Sequence, residues 1–200
     1  MIKIIASLLI ILLPGISQGQ RNWKLERNAD GIKVFSSDIP NSVFKAIKVE
    51  ANLTGTYTKL ISILSDVTQF SNWIYHSKTT TMLQKNSAYD FIYHTETTVP
   101  WPMSNRDAVI HIQVNTDSLP KFITITGTGE PSRISKTSGL VRVSHYSARW
   151  KVSMSSTQTL RIYYELEIDP GGSIPGWISN MFADKGPFET FSNLAKKLKE

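Results

Sequence analysis

Between Leu160 and Ile168 the chain alternates position by position, with Leu160, Ile162, Tyr164, Leu166 and Ile168 on one side and Arg161, Tyr163, Glu165 and Glu167 on the other. A period of two belongs to a strand with one buried face, so the first set is predicted to point inward. Ala108, Ile110, Ile112 and Val114 form a second inward set, opposed by His111 and Gln113. From Tyr89 to Thr98 the pattern is more even: Phe91, Tyr93, Thr95 and Thr97 share one face, and Ile92, His94, Glu96 and Thr98 the other. The first of these is assigned inward because Glu96 favours water. Threonine and tyrosine on an inward face point to a cavity with a few polar places, since a solid core would be built from Val and Leu.

Further strands are predicted at Gly31–Phe35, Val43–Asn52, Thr79–Gln84, Phe122–Thr128, Leu140–Tyr146 and Arg149–Ser153, after an opening segment Trp23–Leu25. Between Val43–Asn52 and Thr79–Gln84, Leu60, Ile61, Leu64 and Val67 keep a helical period behind Thr54 or Thr56 as cap, and a short helical piece follows around Phe70–Tyr75. The chain ends in another helical pattern. Ile174, Trp177, Ile178, Met181 and Phe182, then Phe188, Phe191, Leu194 and Leu198, recur at three- and four-residue steps and gather on one broad face. Strands bracketed by helices indicate an α+β fold with an antiparallel sheet. The terminal helix needs an apolar surface to cover, so it is expected to close a curved sheet. Gly171-Gly172 precedes it as a hinge, and Gly186-Pro187 should kink or break it, because proline removes a backbone donor and clashes with the preceding turn.

The front of the chain bears on compartment. Lys3 supplies a basic start, Ile4 to Leu13 is an apolar run, and Ser17-Gln-Gly19 places small residues where a signal peptidase cuts. The run is too short to span a bilayer, which takes about 20 apolar residues. Residues 1–19 are therefore expected to be a signal peptide, and residues 20–200 one exported domain, periplasmic or extracellular after cleavage near Gly19.

Charge and chemistry narrow the function. The 200 residues carry a formal net charge of +6, one unit of it from Lys3, and no cysteine, so disulfides and thiolate chemistry are absent. The basic excess is scattered apart from Lys196, Lys197 and Lys199, which complement a helix C-terminus, and no basic stripe with interleaved aromatics suggests nucleic acid. His76, His94, His111 and His145 show no metal-ligand spacing, with His94 and His111 expected on outer strand faces. No nucleophile elbow or dinucleotide loop is present; Gly127-Thr-Gly129 lacks the strand-turn-helix setting.

Four stretches carry a family resemblance. They are Asp30-Gly-Ile-Lys-Val-Phe35, Val99-Pro-Trp-Pro-Met-Ser-Asn-Arg-Asp-Ala-Val109, Leu140-Val-Arg142 leading to Trp150, and Asp169-Pro-Gly-Gly-Ser-Ile-Pro-Gly-Trp-Ile-Ser-Asn180 with Gly186-Pro187. In this order and spacing the chain resembles the StAR-related lipid-transfer (START) domain over nearly all of residues 20–200. The resemblance implies the helix-grip fold, a curved antiparallel sheet around a hydrophobic tunnel closed by a long C-terminal helix. It also implies binding of sterols, phospholipids, ceramides or related molecules, without catalysis or a cofactor. Related helix-grip proteins include cyclases and hydrolases that work in the same tunnel, and such an enzyme is the alternative reading. Steroid-carrying relatives hold an acid and an arginine inside the tunnel at positions that match Thr95 and Ile112, so this tunnel lacks that charge pair. Any polar demand of the guest would fall to Tyr93, Thr95, Thr97 or Tyr164.

The expected ligand-binding set comes from three places. The central strands give Phe91, Tyr93, Thr95, Ile110 and Ile112, the last strand gives Leu160, Ile162, Tyr164 and Leu166, and the lid gives Trp177, Met181 and Phe182. Together they should enclose one cavity of about 300–1,000 Å³. Arg106 and Asp107 are expected to tie loops together, with contact to the ligand as the alternative reading. The apolar loop Pro100-Trp-Pro-Met103 either makes transient membrane contact or folds Trp101 back onto the lid. The protein is expected to act as a monomer.

Overall fold

The turn Asp30-Gly31 sets the first hairpin: both residues have positive φ, 52° and 75°, the mirror-image turn whose twist matches paired strands and which glycine adopts without strain. It joins β1 (Lys24–Ala29) to β2 (Ile32–Asp38) with Ala29 opposite Ile32. A computed structural model gives this architecture for residues 21–40, 42 and 44–200. The predicted signal peptide and the predicted strand start at Val43 lie outside the described residues.

β3 (Lys45–Thr54) leads into α1 (Tyr57–Ser65), where Thr56, extended at φ −125° and ψ 162°, accepts the Lys59 N–H at 3.2 Å through its hydroxyl. A 3₁₀ turn, Val67–Asn72, follows. The long meander is β4 (Ser77–Lys85), β5 (Asp90–Thr97), β6 (Arg106–Asn115), β7 (Ile123–Gly129), β8 (Val141–Arg142), β9 (His145–Ser156) and β10 (Thr159–Asp169). Hydrogen-bonded neighbours run β1-β2-β3-β10-β9-β7-β6-β5-β4, all antiparallel, and the two-residue β8 pairs in parallel with β6. Register shifts in β1, at two places in β4, and at the start of β10 bend the strands, so the sheet curves around the chain's last segment.

That segment is two helices, α2 (Gly176–Ala183) and α3 (Lys185–Lys197), with the break expected near Gly186-Pro187. The break at Asp184 follows from Pro187. Lacking an N–H, proline belongs in a first helical turn, and α3 begins two residues before it. A difference from the expected strands concerns Leu140–Tyr146. Only Val141–Arg142 pairs with β6; the chain then steps across, Val143 N–H donating to the Asp107 carbonyl and Ser144 N–H to that of Asp169. The strand predicted at Arg149–Ser153 accordingly starts earlier, at His145.

The core joins inward strand residues to the stripe of α3. Val34, Val49, Val152, Leu160, Ile162, Phe191 and Leu194 are at most 1% exposed, each such side chain contributing about 1.5–3 kcal/mol of transfer free energy. The opposite face is covered around β6. Asp107, 1% exposed, takes a fork from Arg142, Nε to Oδ1 at 3.0 Å and Nη2 to Oδ2 at 2.8 Å, and His94 Nε2 lies 2.9 Å from Oδ2. Arg142 donates further to the carbonyls of Pro131, Ile134 and Ser135, so the pair ties the loop before β8 to β6. The tying role expected of Asp107 is thus present, and His94, on the outer face, is half-buried by it rather than free in solvent.

Candidate functional site

Between the curved sheet and the two terminal helices lie two chambers, of about 240 and 150 Å³. They share Ile47, Thr97, Leu166, Ile168 and Phe182 as a common wall. The expected single cavity is therefore divided and smaller.

Alternation along each strand builds the larger chamber. Tyr93 and Thr95 of β5, Ile110 and Ile112 of β6 and Tyr164 and Leu166 of β10 all line it, with Phe182 from α2. Phe91, Leu160 and Ile162 are correctly placed on the inward side but do not line it; each is fully buried in the cluster that also holds Leu60 and Leu64 of α1. The reason is position along the strand. The half of the sheet that includes Leu160 and Phe91 is packed solid, whereas the half running to Ile168 opens beneath α2.

Two lid residues are corrected. Trp177 is 56% exposed, and it lines with Met181 an outer groove beside Lys24, Glu26 and Asp184. Ile178, fully buried, and Phe182 form the stripe facing inward; Trp177 and Met181, also four residues apart, make the adjacent stripe, turned by the roughly 100° between successive helical residues. Ser179 and Ala183 line the smaller chamber.

Aromatic contacts anchor the lid. Phe191 stacks on Trp150 and lies 5.4 Å from the Tyr164 ring, and Phe182 meets Tyr75 edge-on at 6.0 Å. Thr190 Oγ1 accepts the Tyr75 N–H at 3.1 Å, and Asn193 donates to the Trp73 carbonyl at 3.2 Å. On the outside, Arg27 grips Asp184 with two hydrogen bonds of 2.9 and 3.1 Å at the junction of the two helices.

The polar places in the larger chamber are phenols and the hydroxyls of Ser77, Thr95, Thr97 and Thr190, besides the indoles of Trp73 and Trp150. Burial pushes Tyr146 up to about 12, a hydrogen bond with Tyr164 opposing it, and burial holds Tyr93 and Tyr164 well above the ordinary tyrosine value. All three therefore stay neutral donors near pH 7. Among the described residues, no carboxylate or histidine lines either chamber, and no cluster of metal-ligating side chains occurs.

Alternation also leads to a residue left out of the expected set. Arg106 stands two positions before Ala108, on the inward face of β6, is 4% exposed, and lines the smaller chamber. Its assignment to loop-tying is half right: Nη1 donates to the Ser104 carbonyl at 2.5 Å and Nη2 to that of Gly171 at 3.3 Å. The signal was the same period-two pattern, carried one step further towards the strand's start.

The linker before the lid is held by the same node. Gly171 and Gly172 have φ of 70° and 64°, and a Cβ on Gly171 would meet the Arg142 carbonyl at 3.0 Å. Trp101, on the loop after Val99 of the smaller chamber, is 90% exposed, so it does not fold back onto the lid.

Comparison with known proteins agrees with this geometry. A Pseudomonas aeruginosa protein, uncharacterized PA1579, is 29% identical over 174 residues, covering 86% of this chain and 85% of that one. Mouse phosphatidylcholine transfer protein is 25% identical over 170 residues, 82% of this chain and 78% of its own length. The crystal structure of a STAR-related lipid transfer protein from Xanthomonas axonopodis superposes with a TM-score of 0.79 at 25% identity, over 89% of this chain and 99% of that one. The START domain family model matches residues 7–200. With a curved sheet, a helical lid and an apolar interior between them, the chain belongs to the START domain family.

Proposed function

We propose that this protein binds a lipid between the sheet and the lid and carries it between membranes, with no catalysis of its own. The observation that carries this reading is the apolar cavity walled by Tyr164, Leu166 and Phe182, because a core needing only stability would be filled. The lipid transfer proteins among its relatives support it as well. A helix-grip enzyme would need a proton donor or acceptor poised near neutrality inside the tunnel. The interior groups here are raised phenols and two bases, Lys45 and Arg106.

Export belongs to the same reading: the signal peptide would be removed near Gly19, leaving a monomeric carrier outside the cytoplasm. Trp101, exposed beside the smaller chamber, would touch the membrane during exchange. No described helix is long and apolar enough to cross a membrane.

Native mass spectrometry of the protein purified from its own cell envelope, followed by organic extraction, tests both parts. A bound lipid released by solvent and an N-terminus near Gln20 are expected. A ligand-free protein that also fails to take up fluorescent phospholipid from vesicles would refute the carrier.

A further inference from the structure

Two buried arginines stand on paired strands but on opposite faces of the sheet, and among the described residues only one has a carboxylate partner. Arg142 and Arg106 lie on paired strands, β8 and β6, with Asp107 directly opposite Arg142. Arg142 has its carboxylate and three carbonyls. Arg106, 96% buried, has two carbonyls and no ion pair among the described residues, and its Nε–H meets no acceptor. A buried cation without a counter-charge is costly, and proteins retain one where something else supplies the charge.

The surroundings say what that is. Besides Arg106, the only ionisable side chain among the described residues lining the smaller chamber is Lys45, also a base; the rest are apolar apart from the hydroxyls of Thr97 and Ser179. Thr97 is the cross-strand partner of Arg106 and stands in the wall shared with the larger chamber. We infer that the smaller chamber receives an anionic headgroup, a phosphate or a carboxylate carried by the lipid, at the Arg106 guanidinium, with the tail directed past Thr97 into the larger chamber. This rests on the carrier reading and deepens it. Arginine suits the task because it remains charged when desolvated and its planar fork matches both anions.

The test uses amphiphiles that share one tail. Oleyl phosphate, oleate and oleyl alcohol are titrated, below their critical micelle concentrations, into delipidated protein, with binding read from the emission of Trp73 and Trp150 in the larger chamber. The two anions should bind on the order of ten- to a hundred-fold more tightly than the alcohol. Arg106→Met should abolish that preference while leaving the alcohol's affinity unchanged, and Arg106→Lys should retain part of it. Should Arg106→Met fail to fold, the wild-type ranking still decides. Equal affinities for the three would overturn the headgroup site with the carrier intact, whereas no binding by any of them would remove the carrier reading itself. Inorganic phosphate binding as tightly as oleyl phosphate would mean a site for a free anion and would overturn the lipid assignment.

Discussion

The ring of Phe191, on α3, stacks on the indole of Trp150, on β9, with centroids 5.3 Å apart and planes 29° from parallel. Lid and sheet thus meet at the cavity's edge through an aromatic cluster centred on Phe191, which also lies 5.4 Å from the Tyr164 ring of β10 and is 1% exposed. Phe191→Ala should cost about 3–5 kcal/mol, as large-to-small changes in a packed core do. Urea denaturation checks it: a loss below about 1 kcal/mol would mean the lid is not anchored there.

The Arg27–Asp184 grip ties the hinge between α2 and α3 to β1. Because the chain has no cysteine, Arg27→Cys with Asp184→Cys creates a unique pair for a short thiol crosslinker. Crosslinked protein should take up a fluorescent phospholipid far more slowly than the same variant left open. Equal uptake would place the entrance elsewhere on the sheet's rim.

Trp101 makes almost no contact with the rest of the protein, at 90% exposure. Trp101→Ala should leave stability within about 0.5 kcal/mol while slowing lipid transfer between vesicles several-fold. Transfer at the wild-type rate would show that the loop does not reach the bilayer.

Asp107 responds to acid with a defined sign. Burial acts to raise its carboxyl, but hydrogen bonds from Arg142 and His94 outweigh burial and hold it below the ordinary aspartate value. A carboxylate lowered on folding contributes stability that is fully present above its unfolded value, about 3.9, and is lost as the pH falls through the lower native value. Asp107→Asn leaves Arg142 buried without its counter-charge, which should cost about 3–5 kcal/mol near neutrality. The gap between wild type and variant should then narrow below about pH 4. Urea midpoints measured from pH 7 downward would expose the error if the gap instead stayed constant.

Local pattern carried most of the architecture. The alternation of Leu160 to Ile168 and of Phe91 to Thr97 marks the inward face because a strand's side chains must alternate, whatever lies beyond them. Pro187 dictates a break near Asp184 for an equally local reason, the missing N–H. Which inward residues meet a cavity is different. Phe91, Leu160 and Ile162 look like Tyr93, Tyr164 and Leu166 in one dimension, yet the first three are packed solid and the last three line open space. That depends on where helices from distant parts of the chain come to rest. The same holds for Trp177 and Ile178, neighbours in a fully apolar helical face, whose roles are assigned by the rotation of α2 against the sheet. Likewise Arg106 and Asp107 read as one charged pair in sequence. The strand's pleat sends them to opposite faces, and only the partners waiting there, Arg142 for one and a largely apolar chamber for the other, make Asp107 a structural tie and leave Arg106 without a counter-charge among the described residues.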